Sequence, residues 1–128
     1  AVARMMTMRE LREDPPLGQG VLWRAIAAPT VHRIGYLLVI LVQAVGAVLL
    51  WCAAVPLAVA AATGATGIGD GPLAVANLGL AVFVALFFGF LLTGLWFSYW
   101  VKMGPVQQGH LTLLLVGLAS TIVVNLNS

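Results

Sequence analysis

Residues 73–100 read LAVANLGLAVFVALFFGFLLTGLWFSYW, and none of these 28 side chains is charged. As a helix this segment is about 42 Å long, because each residue adds 1.5 Å. The hydrocarbon core of a bilayer is about 30 Å thick, so the segment can cross it and still reach a headgroup layer. Its C-terminal end combines Trp96, Tyr99 and Trp100 with Lys102, a composition typical of a membrane–water interface. The stretch therefore predicts a transmembrane helix.

Two further apolar stretches flank the first one. Residues 34–58 are uncharged and long enough to cross a bilayer, and residues 110–126 form a shorter span of 17 residues. The intervening segments AAATGATGIGDGP (60–72) and KMGPVQQG (102–109) have the composition of loops. The sequence therefore predicts an all-α polytopic membrane protein with three visible transmembrane helices.

The composition agrees with a location in the lipid bilayer. Of the 128 residues, 62% are hydrophobic and only 8% are charged, whereas a soluble domain has about a quarter charged residues. The formal net charge of +2 comes from scattered side chains that form no basic face, so no nucleic-acid partner is expected. The lone Cys52 excludes an internal disulfide.

The hydrophilic part of the chain is confined to its N-terminus. Residues 1–33 are predicted to form a polar segment, and residues 34–128 a transmembrane helical domain. Within the polar segment, a charged run followed by two prolines indicates an exposed connector. Residues 18–29 combine apolar side chains with Arg24, which fits either a short helix lying in the interface or an irregular loop.

Positive charges flank the spans unevenly. Arg24 and Arg33 precede the first span and Lys102 follows the second, whereas residues 59–72 contain no cation. Because cytoplasmic loops have an excess of Lys and Arg, this pattern places the N-terminal segment and the Lys102 loop in the cytoplasm. The same end of the bundle collects the side chains predicted to contact lipid headgroups: Trp23, Arg24, Arg33, Trp96, Trp100 and Lys102.

Three polar residues are candidates for a bound cofactor. His32 and His110 stand at the ends of two spans and can ligate a haem between helices, because neutral imidazole is a natural iron ligand. Gln43 lies about 13 Å into the first span and can contact a quinone. The competing interpretation is structural: a histidine at the interface needs no ligand, and an amide within the membrane commonly hydrogen-bonds a neighbouring helix. We favour the structural interpretation and predict no metal and no cofactor.

Small residues recur every four positions on the central span. They are Ala81, Ala85 and Gly89, with Asn77 before them and Thr93 after them, and the last span has Gly117, Thr121 and Asn125 at the same spacing. Such stripes let helix backbones approach closely in lipid. They predict helix packing, partly within these spans and partly against a further helix, either of the same chain or of another subunit. The phenylalanines at 83, 87 and 90 lie off the stripe and are free to meet lipid or a neighbour.

Catalytic groups are missing from the sequence pattern. No span contains a carboxylate, so there is no acid–base pair and no proton relay of the usual kind. There is also no phosphate-binding loop and no Cys/His spacing suited to a metal. We therefore predict that the protein is not an enzyme.

Short matches spread along nearly the whole chain indicate a family. They are Leu22-Trp23-Arg24-Ala25-Ile26, Pro29, His32, Tyr36, Gly79-Leu80, Gly94, Trp96, Phe97, Trp100 and Gln107-Gln108. In these residues the chain resembles a bacterial family of predicted small integral membrane proteins of unknown function. The resemblance implies a multi-pass protein of the bacterial inner membrane.

The resemblance also carries two further expectations. Family members typically have one more helix upstream, so these three spans resemble the last three of four, and a cytoplasmic start to that helix would reverse the orientation given above. Members tend to have Glu where this chain has Gln43 and Leu95. An activity that depends on those acids would be absent here.

Three functions compete on these observations. The first is a non-catalytic accessory or anchor subunit of a larger membrane protein complex, which fits the absent catalytic groups and the small-residue stripes. The second is a haem- or quinone-binding membrane anchor of a respiratory enzyme. The third is a small transporter, which ranks last because such transporters depend on a membrane-embedded carboxylate that the spans lack.

Overall fold

The computed structural model of the chain describes residues 2–18, 20–64 and 70–126, and 87% of these residues are helical, with no strand among them. The helices are α1 (Val2–Met6), α2 (Arg9–Arg12), α3 (Pro15–Gly18), α4 (Pro29–Thr63), α5 (Asp70–Trp96) and α6 (Gly104–Leu126). The helices α4, α5 and α6 are long and apolar enough to cross a membrane. The prediction of an all-α protein with three membrane spans is confirmed.

The first membrane helix, α4, extends beyond the predicted span 34–58 at both ends. It begins at Pro29, whose fixed φ suits a first turn, and it continues through Pro56 to Thr63. Gly64 ends it in the left-handed conformation (φ 65°), with its N–H donating to the carbonyl of Ala60. The resulting helix of 35 residues is about 52 Å long, so it projects beyond the hydrocarbon core.

The central helix, α5, ends at Trp96, four residues before the end of the predicted span 73–100. Ser98 adopts the left-handed conformation (φ 51°), and a 3₁₀ turn follows at Tyr99–Val101. The left-handed Ser98 ends the helix, and Phe97, whose N–H still donates to the Thr93 carbonyl (2.9 Å), packs in a small core with Met8 and Leu11. At its other end α5 begins at Asp70, an acidic residue in the first turn, where the helix dipole favours negative charge.

The third membrane helix, α6, begins at Gly104, six residues before the predicted start at His110. Pro105 lies in its first turn, where the missing N–H leaves no hydrogen bond unmade. The loop before α6 is therefore shorter than the predicted loop 102–109, and the two glutamines of the predicted loop belong to α6. The other predicted loop, 60–72, falls partly on residues 65–69, outside the described part, and its described ends belong to α4, to the Gly64 cap and to α5.

The α5 helix packs against both of the other spans. Glycines make its contact with α4 close, since Gly46 faces Val82 and Gly79 faces Leu50. A Cβ placed on Gly79 would lie 3.0 Å from Cδ2 of Leu50, tighter than nearly all real contacts. The two backbones can approach because a glycine stands on each side of the contact.

Gly117 is a point of close approach between α5 and α6. A Cβ at this buried glycine would lie 2.8 Å from Cδ1 of Phe83 and 3.0 Å from Cγ2 of Val84. Thr121, one turn later, donates from its hydroxyl to the carbonyl of Gly117 (2.9 Å). Gly117 therefore packs against large side chains of α5 and not against the small-residue stripe.

The small-residue stripe of α5 lies on the surface of the described chain. Ala81 and Ala85 are exposed, and a Cβ placed on Gly89 would meet nothing within 4 Å. The intramolecular contacts use other small residues of the same helix, Ala76, Gly79 and Gly94, which are buried. Any helix that packs against the stripe therefore lies outside the described part of the chain.

The N-terminal segment packs on the bundle through two buried apolar residues. Met8 and Leu11 are only 3% and 2% exposed and form a core with Phe97, against which further apolar residues of the segment pack. Between the end of α3 and the start of α4, the described residues contain one regular element, the 3₁₀ turn Leu22–Arg24. The irregular alternative therefore describes this stretch better than an interfacial helix.

Candidate functional site

The predicted interface residues gather where α4 and α6 begin and α5 ends. This end is called the covered end, because the N-terminal segment (residues 2–28) packs on it. Polar contacts attach the segment to the bundle: Nε2 of His32 donates to the Ile26 carbonyl (2.7 Å), and Nζ of Lys102 donates to Oδ2 of Asp14 (2.5 Å). Within the segment, the Ile26 N–H donates to the Met6 carbonyl (2.8 Å). The segment is thereby held to both α4 and the loop before α6.

Arg24 contacts two indole rings at the covered end. Its guanidinium carbon is 5.3 Å from the ring centre of Trp23 and 5.2 Å from that of Trp96, within the range of cation–π attraction. The two rings meet edge to face, with their centres 6.0 Å apart. The 3₁₀ turn positions Trp23 and Arg24, and the last residue of α5 supplies the second ring.

The same arginine caps the C-terminus of α5. Its Nη1 donates to the carbonyl of Trp96 (3.3 Å), one of the last carbonyls of a helix, which lack partners within the helix. A positive charge at this position also complements the negative end of the helix dipole. The Nε atom of Arg24 is buried without a hydrogen-bond partner, so the side chain is directed into the protein more than the sequence suggested.

The predicted headgroup residues consequently divide into two groups. Arg24 and Lys102 have partners within the chain, at the end of α5 and at Asp14. Trp23, Trp96 and Trp100 are exposed at 71%, 52% and 48%, and Arg33 is exposed near the start of α4. Contact of these exposed side chains with lipid headgroups stays a prediction.

A tyrosine–histidine pair joins the turn after α5 to α6. The hydroxyl of Tyr99, a residue only 6% exposed, lies 2.8 Å from Nδ1 of His110 and forms a hydrogen bond with it. Burial raises the pKa of the Tyr99 hydroxyl above its ordinary value. Phe90 packs on the imidazole, with ring centres 4.9 Å apart, and Phe87 adjoins it at 6.1 Å. Phe87 and Phe90, which were expected to meet lipid or a neighbour, thus contact His110 of the neighbouring helix α6.

Gly94 makes room for this pair. A Cβ on Gly94 would lie 2.5 Å from Cε1 of Tyr99 and closer still to Oε1 of Gln107. Oε1 of Gln107 is itself buried without a hydrogen-bond partner. Any residue larger than glycine would have to displace the tyrosine ring or the glutamine amide.

At the opposite end of the bundle, α5 and α6 share a pair of amides. Nδ2 of Asn77 donates to Oδ1 of Asn125 (3.0 Å), and Nδ2 of Asn125 donates to Oδ1 of Asn77 (2.7 Å). Nδ2 of Asn125 also donates to the carbonyl of Thr121 (2.8 Å). Each amide thus satisfies the other between two apolar helices, where water is scarce.

The three candidate cofactor residues share no hydrogen-bonding partner among the described residues. Nε2 of His32 donates to the Ile26 carbonyl and Nδ1 of His110 is hydrogen-bonded to Tyr99, so the two imidazoles take part in separate hydrogen bonds. Gln43 is exposed on α4 and has no hydrogen bond to any described residue. Among the described residues, no three His, Cys, Asp or Glu side chains form a group suited to a metal ion.

Comparison with known proteins identifies a family for the chain as a whole. No curated protein and no solved structure matches it. The family model described as "Predicted small integral membrane protein (DUF2165)" matches residues 1–127, and the three long apolar helices agree with that description. The chain therefore belongs to this family of predicted small integral membrane proteins, as its resemblance implied.

Proposed function

We propose that this integral membrane protein is a non-catalytic accessory or anchor subunit of a larger membrane protein complex. The observation that carries the proposal is the position of Gln43. Its amide lies on α4 about 21 Å after Pro29, near the middle of a helix of about 52 Å. There it is exposed and has no hydrogen bond to a described residue.

An amide at this depth requires a partner that lipid cannot supply. Transfer of an amide into an apolar medium without a hydrogen bond costs roughly 2–7 kcal/mol. A polar side chain on a neighbouring helix removes this cost, and such interhelical bonds contribute about 0.6–2 kcal/mol to association. Gln43 therefore favours a neighbouring helix over free lipid at this face of α4.

The open stripe of α5 supports the same function. Exposed leucines and valines need no partner in a bilayer, because lipid tails are as apolar as they are. Ala81, Ala85 and Gly89 differ, because their small side chains leave the α5 backbone accessible to a second helix. The Gln43 amide on α4 and the accessible backbone of α5 thus both favour contact with another helix.

Native mass spectrometry of the tagged chain, extracted from its own membrane in mild detergent, tests the proposal. A subunit is expected to be released with at least one different polypeptide in a fixed ratio, and with neither haem absorbance nor bound quinone. Release of the chain without any other polypeptide would contradict the proposed function.

A further inference from the structure

The N-terminal segment is attached to the covered end by few contacts. The core between them consists of Met8 and Leu11 of the segment and Phe97 of the bundle, all three of them buried. Among the described residues, one ion pair crosses the contact, from Nζ of Lys102 to Oδ2 of Asp14. Both of its side chains are partly exposed, so water and salt weaken their attraction. The segment is therefore held less firmly than the three long helices, whose backbone hydrogen bonds meet no competing water in lipid.

Docking of the segment also has three costs. The backbone of Met8 is left-handed (φ 50°), a conformation that is unfavourable for residues other than glycine and persists where surrounding contacts impose it. Nε of Arg24 is buried without a hydrogen-bond partner, whereas water would supply one. A cavity of about 10 Å³ lies between Leu11 of the segment and Tyr99 and Met103 of the bundle, so the atoms around it lack contacts. Release of the segment from the bundle relieves all three costs.

Residues 25–28 supply a hinge between the segment and α4. They belong to no helix or turn, and Ala25 is extended (φ −65°, ψ 129°). The carbonyl of Ile26 accepts a hydrogen bond from Nε2 of His32, which fixes the far side of the hinge to α4. The N–H of Ile26 instead donates to the carbonyl of Met6, in the part of the segment before the hinge. A rotation at Ala25 would therefore carry that part away and break the hydrogen bond to Ile26.

We propose that residues 2–24 form a strap, which opens about Ala25 as one unit while the three long helices stay folded. The strap is closed in the structure described above. The inference stands apart from the proposed function, because it concerns contacts within the chain.

Opening of the strap changes the turn after α5 in three ways. It uncovers the ring of Phe97, which is buried by the segment in the closed state. It releases Lys102 from Asp14. It also removes Arg24 from the carbonyl of Trp96, so the end of α5 loses its cap. The closed strap thus conceals an apolar and cationic surface at the covered end.

Hydrogen exchange of the full chain in lipid nanodiscs, read by mass spectrometry, tests the strap. The amide of Ile26 reports opening, because its acceptor carbonyl moves away with the strap. Lys102→Met removes the ion pair across the contact, and exchange at Ile26 is expected to rise about 1.5- to 5-fold, with exchange over residues 80–90 unchanged. The matched control is Arg9→Met, which removes an exposed ion pair with Glu13 inside the strap and should leave exchange at Ile26 unchanged.

Three results of this experiment would overturn the proposal. Unchanged exchange at Ile26 in Lys102→Met would show that the segment does not open as a unit. An equal rise over residues 80–90 would show that the long helices open together with the segment. Equal rises at Ile26 in Lys102→Met and Arg9→Met would show that the ion pair across the contact has no special role.

Oxidation of Met8 by hydrogen peroxide is a second measurement on the same variants. Peroxide converts the thioether to a sulfoxide and is itself reduced to water. Met8 is only 3% exposed when the strap is closed, so its sulfur is oxidised through the open state. Its oxidation in Lys102→Met is expected to accelerate by the same factor as the exchange at Ile26. An unchanged rate of Met8 oxidation in Lys102→Met would refute the strap.

Discussion

Asn77 of α5 and Asn125 of α6 form a reciprocal amide pair between two apolar helices, with Nδ2-to-Oδ1 distances of 3.0 and 2.7 Å. The pair fixes the register of the two helices at the end of the bundle far from the N-terminal segment. It also shows how this chain satisfies an amide within its helical bundle: with a second amide on a neighbouring helix.

Replacing either asparagine should destabilise the contact between α5 and α6, and the two replacements should differ in cost. In Asn125→Leu, Asn77 loses both of its hydrogen bonds, whereas in Asn77→Leu the amide of Asn125 keeps the Thr121 carbonyl. We expect a loss of about 1–2 kcal/mol for Asn125→Leu and less for Asn77→Leu, measured by thermal unfolding in detergent. The double variant should cost less than the sum of the two. Additive losses would show that the two amides are not coupled.

A glycine-to-alanine comparison along α5 tests the packing at the covered end. Gly94→Ala places a methyl group against Tyr99 and Gln107 and is expected to cost about 1–3 kcal/mol of unfolding free energy. Gly89→Ala, five residues earlier on the same helix, meets nothing within 4 Å and should be neutral or slightly stabilising in the purified chain. Equal melting temperatures for the two variants would contradict the described approach of Tyr99 to Gly94.

Replacement of Arg24 should loosen the end of α5. Arg24→Met removes the guanidinium that contacts Trp23 and Trp96, together with its hydrogen bond to the carbonyl of Trp96 at the end of α5. The two effects together are expected to cost about 1–2 kcal/mol. Faster hydrogen exchange over residues 93–97 is the local measurement. Arg33→Met is the control, because Arg33 is exposed, and it should leave this exchange unchanged. Identical exchange in both variants would exclude the cap.

The buried hydroxyl of Tyr99 should titrate at a higher pH than an ordinary tyrosine. Burial raises its folded-state pKa above 10.0, so the folded state holds this proton more tightly than the unfolded state. The resulting stabilisation is complete below pH 10 and is lost as the pH rises from there through the folded-state pKa. Absorbance titration of Tyr36→Phe isolates Tyr99, and the shift should persist in an added His110→Leu substitution because its cause is burial. A midpoint at or below 10.0 would contradict this.

The membrane spans could be predicted because bilayer thickness and apolar composition act on a whole segment. The ends of the helices could not, because they depend on single local events: Gly64 turns left-handed after α4, and Ser98 turns left-handed after α5. The burial of Met8 and Leu11 has a weak signal in the sequence, namely a few apolar residues within a hydrophilic segment.

The side-chain pairs at both ends of the bundle could be predicted only in part. Asn77 and Asn125 stand out as amides in apolar helices, but 48 positions separate them and no spacing rule joins them. The neighbouring Trp23 favours an interfacial position for Arg24, yet the hydrogen bond of Arg24 to Trp96 depends on where α5 ends. Such pairings arise from tertiary packing, which a single sequence does not encode in a local pattern.

Docking of a partner helix on the open face of α5 is the central claim, and it is tested most directly by native mass spectrometry of Gly89→Leu. A Cβ at this position meets nothing within 4 Å, so the leucine variant is expected to fold, but its side chain would separate a docked helix from the α5 backbone. The matched control is Ala119→Leu, an equally small-to-large change on the exposed surface of α6. The account predicts that Gly89→Leu inserts normally and loses the accompanying polypeptide, while Ala119→Leu retains it. Equal recovery of that polypeptide with both variants would contradict the claim.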